Sequence, residues 1–491
     1  MAADQSNHDG TVPLSEEPKT REWLIEIMKG KEHDSQTKAK PQIQKVAGIL
    51  RETESNQTCF DPLVVSFGPY HHGKPRLRPM ESYKEVAARW FFSLSAGNKP
   101  KKSISDVEVK NVYDKFVAEA TKELSPRENY ADNFIDIYNQ AEFMKMMFLD
   151  GCFILYFIHH LVVKVTDDLP ESGHLNQRHI LRDMFLLENQ IPYSILKALM
   201  SLLPNRSFDD DVIIEFIYVV FLPPYEINLN NIGFFKLLFF IFKNMFFPKW
   251  NHPFKVFLRS VSDDRRKPLH LLDLLRDLLI GVGASPSSSG SGYWHYYFRP
   301  VRELKATGIQ VRRSSVTLLS DVKFKKGLTN SHLELPQLIV DESTKTRLLN
   351  LVAYEMSSDG LLDRTVTSYI CFLNSLIYNT EDVKELRSEN ILLNRLGSND
   401  EVVQLFKELA AHSSPDYSGY GDVIKGIDEH CKRHLNHTRI LIGQWTSQFT
   451  RTYFTSPWTV ISLIAAIFVI SLTLVQTIYT ALSFYDSNKT D

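Results

Sequence analysis

The 491-residue chain has only four cysteines, Cys59, Cys152, Cys371 and Cys431, all far apart. So sparse a set cannot staple a small secreted scaffold, and reduced thiols in a cytosolic setting fit it better. Neither sign of charge dominates: 56 Lys and Arg face 58 Asp and Glu, for a formal charge of -2. No bulk attraction to nucleic acid follows, and no nucleic-acid partner is expected. The opening MAADQSNHDGT has no basic and no apolar stretch, so no secretory leader is read there. Catalytic signatures are also scarce. There is no C-x-x-C and no G-x-S-x-G, and Gly281-Val282-Gly283 follows a helix-like run rather than the strand a dinucleotide fold requires.

Hydrophobic residues make up 43% of the chain and include 31 Phe, enough to bury a large core. Residues 1–18 read as a disordered polar terminus. Residues 19–283 read as a mainly helical part, with an amphipathic stretch at Trp23, Leu24, Ile27 and Met28. Pro62 to Phe67 reads as a strand or extended segment running into a turn. Met144 to Val163 is a nearly continuous apolar run interrupted by Lys145, Asp150, His159 and His160, so it is predicted to be a buried core helix. Ile232 to Phe247 is read the same way, with a membrane-surface helix as the alternative. Residues 284–292, ASPSSSGSG, form a low-complexity linker. Residues 293–450 then combine short extended runs at 308–313, 322–326 and 333–340 with renewed helical periodicity from Thr344.

From Trp458 to Leu482 there is no charged residue. A helix of about 22 residues spans about 33 Å, against about 30 Å of bilayer hydrocarbon. Ser456 and Pro457 suit a helix start. Trp458 at one end and Tyr479 at the other suit interfacial belts, and Gln476 is the single amide between them. These features predict a transmembrane helix over 457–482 with a short tail at 483–491. The bilayer is then one partner, and the bulk of the chain is expected on the cytosolic side of a plasma or internal membrane.

Two constellations invite a chemical reading. Gly68-Pro69-Tyr70-His71-His72-Gly73-Lys74-Pro75 nearly matches a phosphate loop, but Pro75 stands where magnesium needs a hydroxyl. Pro69 and Pro75 also remove two backbone donors, so a rigid turn is the better reading. His430, His434 and His437 share a helical face, yet the carboxylate that would serve as base between them is absent. No cofactor, metal or catalytic set is assigned. The rival reading is an enzyme, a metal-dependent hydrolase or nucleotide binder, built around His71, His72 and Asp150.

Several blocks organise the whole chain. GPYHHGKPRLRPMESYK at Gly68–Lys84, DGCFIL at Asp150–Leu155 and DMFLLENQIPY at Asp183–Tyr193 lie in its first half. KPLHLLDL, RELKATGI, LELPQLIVD and NLVAYE follow, and YFTSPWTVISLIAAIFVISLTLVQT closes the series. Together they resemble the plant domain-of-unknown-function 247 family from about Trp23 to Tyr479. The resemblance implies a single-pass, tail-anchored plant membrane protein with no established catalytic residues, and a role in protein interaction. Some grass members are implicated as pollen-side determinants of self-incompatibility. The family signature maps here onto Gly68, Pro69, Tyr70, His71, His72, Gly73, Lys74, Asp150, Gly151, Cys152, Glu188, Asn189, Gln190 and Pro192. Within DMFLLENQIPY, Phe185, Leu186, Leu187 and Ile191 suit a core, and Glu188, Asn189 and Gln190 suit backbone groups at a helix stop. The expected fold is mainly α (α+β), a helical body with a small antiparallel sheet and one C-terminal transmembrane helix.

Overall fold

A computed structural model describes residues 42–96, 105–122, 125–131, 136–163, 171–204, 208–221, 266–281, 299–327, 331–357, 363–411, 413, 417–434 and 457–487. The stretches expected to be a disordered terminus, the helix near Trp23, the apolar run Ile232–Phe247 and the linker at 284–292 lie outside them.

The centre is α3, Gln140–Val163. Between Phe143 and Ile158 nearly every side chain is buried, including Met147, Cys152, Leu155 and Phe157. A helix apolar on all sides needs neighbours on all sides. Those neighbours include α1 (Arg78–Ser95), α5 (Tyr193–Ser201) and α6 (Asp210–Phe221), with α2 (Asp106–Ala120) packed on α1 and α5. Gly151 lets α5 approach: a Cβ there would fall 2.5 Å from Leu199 Cδ1 and 3.2 Å from Ile195 Cγ2. The helix α4 (Glu171–Asp183) leads into the turn that carries LENQIPY.

Helices α7 (Leu271–Ile280) and α8 (Val301–Ala306) precede the strands β1 (Ile309–Arg313), β2 (Lys323–Lys325), β3 (Ser331–Leu335) and β4 (Leu338–Val340). After them come α9 (Thr344–Ser357), α10 (Thr365–Leu376), α11 (Thr380–Ser388), β5 (Leu392–Asn394) and α12 (Asn399–Ala411), then a helical stretch at 421–434. Buried side chains from Ile43 to Cys431 join one hydrophobic cluster that includes both ends of this order.

Two features of the expected fold are corrected. The sheet is mixed, not antiparallel: in the order β1-β3-β2, β1 runs parallel to β3 and β2 antiparallel to it, and β4 pairs parallel with β5. The reason lies in the connection after β1. Leu319 N–H bonds the Leu279 carbonyl, and Tyr420 Oη bonds the Leu319 carbonyl, so the chain is carried across and returns on the far side of β3. A tight hairpin would have paired β1 with β2 directly.

The second correction concerns the C-terminus. Pro457–Ser487 forms one helix, α13, of 31 residues. Among the described residues no helix is long and apolar enough to cross a membrane, so the expected transmembrane helix is not supported. Trp458, Gln476 and Tyr479 are exposed on α13, while the Pro457 side chain lies outside the described residues.

Candidate functional site

The segment from Ile43 to Lys74 has only a single isolated bridge, Ile43 with Tyr130, and short helical turns. Several of its residues are buried, among them Ile43, Val46, Val65, Phe67 and Gly68, and a buried N–H must find an acceptor. Side chains of the signature blocks supply them. Asp183, at the end of α4, accepts from the Leu63, Val64 and Val65 N–H groups at 2.8 to 3.1 Å. Asn189 Oδ1 accepts from Phe67 N–H at 2.8 Å, while its amide donates to the Val65 and Asp183 carbonyls. Asp150, from α3, accepts from Gly68 N–H at 2.8 Å. Glu188 Oε1 accepts from Val46 N–H at 2.8 Å. Pro62–Phe67 is therefore no strand, with bends at Leu63 and Val64, because its backbone partners are the Asp183 carboxylate and the Asn189 amide.

The turn 183–190 also reaches the other half of the chain. Gln190 donates to the Met184 and Leu186 carbonyls and accepts from Leu272 N–H at the start of α7. Leu187 N–H donates to Asn350 Oδ1 on α9, and Asn350 Nδ2 donates to the Cys59 carbonyl at 3.0 Å. Two residues beyond the turn, Pro192 starts α5 as its N-cap. Within NLVAYE, Glu355 accepts from Val366 and Thr367 N–H, capping α10, and pairs with the buried Arg276 at 2.9 Å. In KPLHLLDL, His270 caps α7 by accepting from Asp273 N–H at 3.1 Å. Burial holds the His270 imidazole down to about 4.

The Gly/Pro turn has a different job from phosphate binding. Gly68 sits at φ 69° with its Cα against the Gln190 carbonyl, where a Cβ would lie 2.6 Å from that oxygen. Its amide is committed to Asp150, whose carboxylate would also repel a phosphate. Pro69 is buried, Tyr70 Oη donates to the Ile43 carbonyl at 3.0 Å, and Gly73 turns the chain at φ 79°.

His71, His72 and Asp150 have separate partners. His72 stands edge-on to Tyr138. Asp150 pairs with Lys84 at 2.6 Å, both side chains fully buried. Burial alone would depress the Lys84 ammonium, but Asp150 and Glu81 raise it, so it stays charged. His71 lies with Asp61 and Glu188: Nδ1 is 3.9 Å from Asp61 Oδ1, and Nε2 is 3.5 Å from Glu188 Oε2. Lys74 Nζ approaches His71 Nδ1 to 2.7 Å, and Arg51 donates to Glu188 Oε2 at 2.8 Å. Burial would raise the Glu188 carboxyl, yet His71, Val46 N–H and Arg51 together pull it down to about 2.

Cys152 is buried, and burial followed by Asp150 pushes its thiol well up, so no thiolate nucleophile forms there. His430 uses both ring nitrogens to fasten the 421–434 helix to the sheet, on the Thr307 carbonyl at 3.0 Å and on Ser331 Oγ at 3.2 Å. His434 is exposed, and His437 lies outside the described residues. Asp61 and Arg51 carry no sequence signal. Asp183, Lys84, His270, Asn350 and Glu355 all lie within the blocks quoted from the sequence.

Residues 43–472 match the family described as plant protein of unknown function, DUF247. The chain belongs to this family. It is 29% identical over 471 residues to UPF0481 protein At3g47200 of Arabidopsis thaliana, across 90% of this chain and 87% of the relative. It is 24% identical over 506 residues to a second UPF0481 protein of that plant, At3g02645, across 86% of this chain and 87% of the relative. No solved structure matches. The DUF247 match begins at Ile43, the residue whose carbonyl receives Tyr70 and whose N–H donates to the Asn129 carbonyl.

Proposed function

We propose that this DUF247 protein is a non-catalytic recognition protein, in which the signature blocks hold a scaffold and exposed segments meet a protein partner. One observation carries the reading: the polar signature groups Asp150, Asp183, Glu188, Asn189 and Gln190 bind backbone amides of distant segments. A general acid, base or nucleophile has to reach a substrate instead. A cleft of about 300 Å³ lies elsewhere, lined by Val301, Lys305, Gln310, Val311, Arg312, Glu385 and Glu389. Its Lys305 is already paired with Glu385, and its Arg312 is bonded to Gln310.

The finer role we assign is a pollen-side determinant of self-incompatibility, a reading supported by family membership alone. Specificity then belongs to loops rather than to the stapled blocks. Candidate segments are 29–40, 99–109 and 284–292; of these, the structure describes only 105–109, at the exposed start of α2. The test is proximity labelling in pollen with two allelic forms and with chimaeras exchanging those segments. Partner sets that follow the exchanged segments are expected. Uniform expression in roots and leaves, with one partner set for every allele, would overturn the reading.

A further inference from the structure

Asp61, His71 and Glu188 each offer one ligand atom, and the three atoms lie within 4.8 Å of one another. They come from three places: the 60–62 bend, the Gly/Pro turn and the 183–190 turn. His71 is buried, and its Nε2 makes no close hydrogen bond: Glu188 Oε2 stands 3.5 Å away, near enough to act on the carboxylate's charge but too far for a good bond. An orphaned buried nitrogen costs stability unless a partner is supplied. Each Glu188 oxygen accepts one hydrogen bond, from Val46 N–H or from Arg51, and keeps a second lone pair. One imidazole nitrogen with two carboxylates is a donor set suited to a borderline divalent ion such as zinc.

Two cations already stand against this group: Arg51, 2.8 Å from Glu188 Oε2 and 3.6 Å from Asp61 Oδ1, and Lys74, whose ammonium is 2.7 Å from His71 Nδ1 and 3.8 Å from Asp61 Oδ1. The Lys74 side chain is 41% exposed, so it can leave for water. The geometry points to a divalent transition-metal site formed by Asp61, His71 and Glu188, with Lys74 as a tethered competitor for the ion. When His71 Nε2 binds metal, the ring proton moves to Nδ1. Nδ1 then donates and can no longer accept from Lys74. Binding therefore releases Lys74 and adds a metal bridge among three segments, two of which Arg51 already ties by pairing with Glu188 and Asp61.

The full-length protein, stripped with chelator and titrated with Zn²⁺ alone, tests this by calorimetry and by elemental analysis of the metal retained after desalting. One equivalent is expected in the natural chain, with affinity rising roughly tenfold in Lys74→Met as a competing cation is removed. His71→Ala and Asp61→Asn should lose retention. Asp61 is one-third exposed, so Asp61→Asn keeps the test valid should His71→Ala fail to fold. No retained metal in the natural chain, retention by Lys74→Met alone, or unchanged retention in both ligand variants would each overturn the site.

Discussion

At the scale of single residues, the protein spends its buried charges on amides and caps, and the cost of losing each can be stated. Asp183 serves three N–H groups at once. Asp183→Ala should therefore cost about 3 kcal/mol or more, read from the shift in urea midpoint. A loss under 1 kcal/mol would show that water can take over those amides. Lys84→Met leaves Asp150 buried without its cation and should cost about 3–5 kcal/mol. Acid stability follows from two groups. The His270 imidazole titrates near 6.5 when unfolded and at about 4 when folded, so its contribution is full above 6.5 and lost as the pH falls toward 4. Glu188, ordinary near 4.5 and about 2 in the fold, adds a second loss between those values. His270→Asn keeps an acceptor for Asp273 N–H and should flatten the first window in a stability profile against pH. An unchanged profile would assign that window to another group.

At the scale of elements, glycines separate a turn that must be tight from one that need only be left-handed. Both Gly68 and Gly73 have positive φ, but a Cβ at Gly73 meets open space and one at Gly68 meets the Gln190 carbonyl. Gly73→Ala should cost about 1–2 kcal/mol and Gly68→Ala clearly more, as thermal melts of the two variants would show. Equal melting shifts would mean the Gln190 turn yields. The helices were readable from sequence because apolar residues recur at helical spacing, as in Met144–Val163, which burial on all sides made nearly continuous. The positions of β1 to β4 were readable too, but β5 falls in the stretch read as helical, and strand partners were not readable. The parallel pairing of β1 with β3 depends on Leu319 meeting the end of α7 and Tyr420, contacts distant in sequence. The Asp61–His71–Glu188 group was hidden for the same reason. Glu188 is separated from Asp61 by most of the helical body, and nothing local marks Asp61.

At the scale of the whole molecule, the turn 183–190 links segments from both ends of the chain. It reaches Val46, Leu63, Val64, Val65 and Phe67 on one side and Leu272 and Asn350 on the other. Hydrogen exchange should therefore find the Leu63–Val65 amides slow, although no strand runs there, and Asp183→Ala should release them while Val46, held by Glu188, stays slow. Fast exchange at all of these positions in the natural chain would refute the staple. A staple of this kind grips the peptide group and ignores what hangs from it. Leu63 is exposed, so its side chain bears little of the fold, whereas the half-buried Val64 packs against the core. Every amino acid but proline carries the N–H that Asp183 needs. Leu63 can therefore change in size, charge and polarity while the chain path stays fixed, so the most constrained turn of the protein borders a position that its own grip leaves open.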